Sequence, residues 1–156
     1  MRMAALLFAA TVALAPVAQA EAPTMQHARG TFDVTVTPVP PAEGAPAYGH
    51  MRLSIAKTFH GDIRGTSSGE MLGSQGPENS GAYVALEVVT GTLGGRSGTF
   101  ALAHRGLMDA GATELSIVVV PGSGTGELTG LTGTFDLKIE GGEHRYDLSY
   151  TLPGAE

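Results

Sequence analysis

The sequence predicts an all-β fold: eight short antiparallel strands closed into a single up-and-down barrel, with a two-sheet sandwich as the alternative. Three observations carry this. A twelve-residue cassette, G-x-L-x-G-x-x-G-T-F-x-L, occurs at Gly91–Leu102 and again at Gly126–Leu137, an offset of 35 residues. Glycines at fixed offsets ahead of an apolar/polar alternation read as tight turns feeding half-buried strands, and repeating that unit builds a sheet that can curl. Segments of period two run along the whole chain, whereas a period of 3.6 never persists long enough for a helix. Glycine at each corner favours closure into a barrel over a sandwich, because a tight bend needs residues without a Cβ.

The elements follow in order. Thr31–Thr37 alternates with Phe32, Val34 and Val36 on one face, the first strand. Pro38–Tyr48 holds four prolines and is a loop. Met51–Phe59 is the second strand, with Leu53, Ile55, Lys57 and Phe59 on one side. Ile63–Leu72 is a glycine-interrupted third, and Gly61–Gly65 within this region is a loose third copy of the cassette. Gly73–Ser80 is a polar loop, and Ala82–Leu93 a fourth strand, apolar on both faces except at Glu87. Gly95–Gly106, Leu115–Val120 and Thr134–Glu140 follow; Gly141-Gly142 is a hairpin signal, and His144–Leu152 closes the set.

The chain divides into a leader at 1–20 and one domain at 21–156, with a core at 26–153. Arg2, the uncharged run Ala4–Ala15 and the Ala18-Gln19-Ala20 cleavage site predict a secretory signal peptide, removed ahead of Glu21. The apolar run is well short of the ~20 residues that span a bilayer. The expected mature chain is exported, to the periplasm or the medium, and has no membrane partner. It has no cysteine, so its stability must come from packing and hydrogen bonds. Cleavage leaves eight Lys and Arg against fifteen Asp and Glu, a formal charge of −7 with no basic cluster. Nucleic-acid binding is excluded as an expectation, since it needs a positive face.

Several motifs together resemble one known family: Phe59-His60-Gly61-Asp62, Gly69-Glu70-Met71-Leu72, the first cassette through His104 and Gly106, Pro121–Leu128, and the closing His144-x-Tyr146 and Tyr150. They are similar to the bacterial domain-of-unknown-function family 3224, over about Gln26–Pro153. The resemblance implies a barrel like that of allene oxide cyclase and dirigent proteins, able to hold an apolar ligand. It implies no catalytic residue, because the family has no established activity.

Motifs that suggest chemistry lose their force in context. Gly65-Thr66-Ser67-Ser68-Gly69 matches the nucleophile elbow, but no helix follows Ser67. Gly122-x-Gly124-x-Gly126 misses the phosphate-cradle spacing and is a loop between strands. His27, His50, His60, His104 and His144 lack metal-ligand spacing, so no metal and no cofactor are expected. The better lead is the polar set on the inward faces. Lys57, His104, His144, Tyr146 and Tyr150 would share the lumen with Phe100, joined by Tyr83 and Glu87 if the fourth strand is so oriented. A charge inside a barrel is costly unless paired, so Lys57 and Glu87 should meet. A mostly apolar lumen with a few convergent polar groups suits a small apolar or aromatic ligand, with His104 as the orienting residue. The competing readings are an isomerase or cyclase, suggested by the resemblance, and a solid structural barrel. The other apolar face of the fourth strand needs cover, for which a second subunit is the natural answer.

Overall fold

The computed structural model describes residues 24–44 and 49–154; the leader at 1–20 lies outside the described residues. Eight strands run β1 (Gln26–Pro38), β2 (Met51–Gly61), β3 (Ile63–Gln75), β4 (Gly81–Leu93), β5 (Arg96–Asp109), β6 (Ala112–Val119), β7 (Thr132–Glu140) and β8 (Glu143–Thr151). They form one closed antiparallel barrel in sequential order, with β1 paired to both β2 and β8. The strands are longer than the alternation alone marks. β1 begins at Gln26, five residues ahead of the clean pattern at Thr31, because it pairs there with β8 from Gln26↔Tyr150 to Phe32↔His144.

Three two-residue hairpins connect neighbours, at Gly94-Gly95, Ala110-Gly111 and Gly141-Gly142. All six residues have positive φ, the twist that matches paired strands. Ala110 adopts φ 46 without being glycine, so the β5–β6 turn lacks the usual signal in the sequence. That is why β5 and β6 run past Gly106 and start before Leu115.

The two cassettes fold differently. The first is the end of β4, the Gly94-Gly95 turn and β5. In the second, Gly126–Leu128 is one 3-10 turn inside the β6–β7 connection, and only Thr132 onward is strand. This connection plugs one end of the barrel with the fully buried Leu128 and Leu131. It is tied to β5: the Thr125 amide donates to the Thr99 carbonyl (2.9 Å), the Val120 amide to the Ala101 carbonyl (2.9 Å), and Glu127 accepts from the Ser97 amide (2.8 Å).

The core lies towards this plugged end. Phe32, Phe59, Phe135 and Tyr146 pack with ring centroids 5.3 to 6.5 Å apart, and Ile63, Leu93, Leu102 and Leu152 complete the cluster. Each buried ring of this kind contributes on the order of 1.5–3 kcal/mol. Tyr146 lies against Gly30, where a Cβ would come within 2.7 Å of the phenol oxygen, so the glycine makes room for the ring.

The opposite end is open. Val36, Leu115 and Ile139 have the inward parity of their strands yet are exposed, Ile139 by 62%. At this end β6 also leaves β7: the two share a single pair, Val118↔Thr134. β4 settles its orientation by burying Ala85, Glu87 and Val89 and turning Val84, Leu86 and Val88 outward.

Candidate functional site

Register brings the inward polar residues of β2, β3, β4 and β5 together between the aromatic core and the open mouth. Lys57 pairs with Ser67 across β2–β3, Gly69 with Glu87 across β3–β4, and Ala85 with His104 across β4–β5. The Glu87 side chain is 0% exposed. Its Oε1 accepts from Lys57 Nζ at 2.8 Å, and its Oε2 accepts from Ser67 Oγ at 3.2 Å. The expected Lys57–Glu87 pair therefore forms. His104 Nε2 lies 3.3 Å from the same Oε1, close but short of hydrogen-bond geometry. Lys57 Nζ also stands 4.7 Å from the centroid of Phe32, within cation–π range.

Burial alone would push the Glu87 carboxyl up, but His104 and Lys57 outweigh it and hold it below the ordinary carboxylate range. Tyr83 sits one inward position mouthward of Ala85, its ring across Gly106, where a Cβ would meet Tyr83 Cε1 at 2.1 Å. Burial, then the Glu87 charge, raise the Tyr83 phenol above its usual value.

The remaining lumen candidates divide. His144 is half-buried and stacks on Phe32, centroids 5.1 Å apart, which links it to Lys57 through that ring. Phe100, Tyr146 and Tyr150 belong to the plugged half and do not reach the charged cluster. Tyr146 Oη accepts from the Ile63 amide at 2.9 Å and donates to the His60 carbonyl, while Tyr150 Oη donates to Gln26 Oε1 at 2.9 Å. Burial raises both phenols. These are tyrosines anchored in a core.

A further apolar volume lies elsewhere. A half-open cleft of about 1130 Å³ runs between the proline-rich segment after β1 and the outer face of β3–β5. One wall is Pro38, Val39, Pro40, Pro41 and Ala42; the other is Leu72, Val84, Leu86 and Ala103. Ala85 and His104, whose side chains point inward, can meet the cleft only through their backbone between these rows. At the rim, Arg52 Nη2 donates to Glu70 Oε2 at 2.8 Å, so the charges there neutralise each other. The sequence-based expectation looked for a ligand in the lumen and did not include this outer wall. Its two signals, four prolines in one loop and a second apolar face on β4, were both visible but not joined. The segment does not cover the whole face: Val88, 49% exposed, lies beyond the cleft. Among the described residues no group of three or more His, Asp or Glu could hold a metal ion.

No curated protein matches the chain. A solved structure from Shewanella oneidensis MR-1, described as a protein of unknown function from the DUF3224 family, is 41% identical, with a TM-score of 0.75. The match covers 83% of this chain and 98% of that one. The family model described as "Protein of unknown function (DUF3224)" matches residues 28–150, most of the described barrel. The chain belongs to the DUF3224 family.

Proposed function

We propose that the protein binds an uncharged, largely apolar small molecule, and that it does so in the outer cleft rather than in the lumen. The observation that carries this is the cleft itself: a concavity of about 1130 Å³ with proline on one wall and Leu72, Val84 and Leu86 on the other. Ligand sites are typically concave and mainly apolar, with a few polar groups that orient the guest. Val84 and Leu86, 54% and 63% exposed, are large side chains that water now touches and a ligand would cover. Arg52 and Glu70 at the rim pair with each other rather than waiting for an ion, which favours an uncharged guest. Binding without chemistry is the simpler reading, because the reactive-looking groups Glu87 and His104 face the other side of the sheet.

The test is fluorescence titration with N-phenyl-1-naphthylamine, an uncharged dye that brightens in apolar sites. The expected result is a saturable rise that Leu86→Gln weakens at least tenfold, while Val88→Gln, outside the cleft, leaves it unchanged. No saturable binding, or equal effects of the two substitutions, sinks the proposal. Equal effects accompanied by a halved native mass would identify the face as a subunit contact, since only a partner protein would cover Val88 and Leu86 alike.

The same reading places the protein outside the cytoplasm, on the strength of the leader at 1–20. Expressed in a bacterial host, the protein is expected in the periplasm or medium with Glu21 as its N-terminal residue by Edman sequencing. A cytoplasmic protein beginning at Met1 overturns that part.

A further inference from the structure

We infer that the lumen holds a second, polar site, in which His104 Nε2 donates a hydrogen bond to the carbonyl or hydroxyl oxygen of a small neutral molecule entering by the open end. The Glu87 carboxylate is already engaged, with Lys57 on Oε1 and Ser67 on Oε2. The His104 side chain is 6% exposed, and Nε2 has no hydrogen-bond partner among the described residues. A ring nitrogen this near a carboxylate oxygen is placed as a donor, and here the 3.3 Å contact does not reach hydrogen-bond geometry. A buried donor left in this state costs about 1–3 kcal/mol, and a native structure that keeps one has a reason for it.

The surroundings supply an approach. Ala85 and Met71 lie level with His104; mouthward of it the inward positions of β3–β5 include the side-chain-free Gly73, Gly81 and Gly106 beside Tyr83 and Met108. Tyr83 lies across Gly106 and is only half-buried, so it stands where an entering molecule would pass. The inward positions at the rim beyond include exposed Val36, Leu115 and Ile139. The plug of Leu128 and Leu131 shuts the other end, so an approach to His104 comes from the mouth. The guest's chemistry follows from the charges. Lys57 and Glu87 cancel, and an anion placed at His104 would face the Glu87 carboxylate, so a neutral oxygen acceptor fits and a carboxylate does not.

The site is independent of the outer cleft, and the test separates the two. Protein carrying Leu86→Gln, labelled with 15N at histidine, is titrated with cyclohexanone and, separately, with methylcyclohexane. The ring nitrogens are followed through their couplings to the carbon-bound ring protons. The expected result is a saturable shift of the His104 Nε2 resonance with cyclohexanone and none with methylcyclohexane. No saturable shift, or the same shift with both, overturns the inference, because an oxygen acceptor would then make no difference. His27 and His60, exposed on the outer surface, report any solvent effect of the cosolute and should not move.

Discussion

Glu87→Ala is expected to destabilise the barrel by about 3–5 kcal/mol, because it leaves the Lys57 ammonium buried with no counter-charge. Lys57 is 6% exposed in its side chain, and Glu87 is its only ion-pair partner among the described residues. The double variant Lys57→Met/Glu87→Leu should recover most of that loss. Both charges are then gone, and side chains of similar volume meet the Phe32 and Phe59 rings that now flank Lys57. Urea denaturation of wild type, both single variants and the double variant measures this. A double variant as unstable as Glu87→Ala would show that the pair stabilises the fold beyond mutual neutralisation.

The same residue sets an acid limit. The folded-state pKa of Glu87 lies below its ordinary value of 4.5, so its stabilising contribution is present above that value. It is lost as pH falls through the lower folded value. The stability gap between wild type and Glu87→Gln should therefore close on acidification, and a gap independent of pH would refute the assignment.

The second large effect is Phe135→Ala, expected to cost about 3–5 kcal/mol through lost transfer energy and the cavity left among packed rings. Phe135 lies 6.5 Å from Phe32, 6.3 Å from Phe59 and 5.3 Å from Tyr146, centroid to centroid, and is 3% exposed. Ile139 is four residues further along the same face of β7 but at the open mouth. Ile139→Ala should change stability by no more than about 0.5 kcal/mol, as exposed positions usually do. Thermal melts of the two variants compare the ends of one strand. Equal losses would mean the mouth is as tightly packed as the core, which would contradict an open end.

Period-two alternation was enough to place all eight strands, because strands with one dry and one wet face write their orientation into the sequence. It failed where that contrast is missing. β4 is apolar on both sides, so alternation could not say whether Ala85 and Val89 or Val84, Leu86 and Val88 face inward. Glu87 shares its parity with the former pair and follows them in, where Lys57 and Ser67 meet it from β2 and β3. The plug was illegible for a different reason. Gly126–Leu137 repeats the residues of a working hairpin, yet Thr129-Gly130 replaces Gly94-Gly95 at the turn, and the preceding segment docks on β5 as a loop. The cleft needed the position of the proline-rich segment in space, which no local pattern encodes. Parity places Lys57 and His104 in the lumen and charge pairing calls for Glu87 beside Lys57 only if β4 turns it inward; parity gives a residue's face and not its depth. Tyr146 and Tyr150 share that face and lie at the closed end.

The β1–β8 ladder makes this barrel an event as well as a shape. Gln26 pairs with Tyr150, so β1 finds its second partner only once β8 has been synthesised. Until then the polypeptide is a growing row of hairpins with a bare edge at each side, including the β1 edge that later carries seven paired residues. The loop between the two strands is nearly the whole domain, and closing it is the slow kind of contact. A barrel with this order of pairing stays open until β8 is made, and that strand decides when the cylinder shuts.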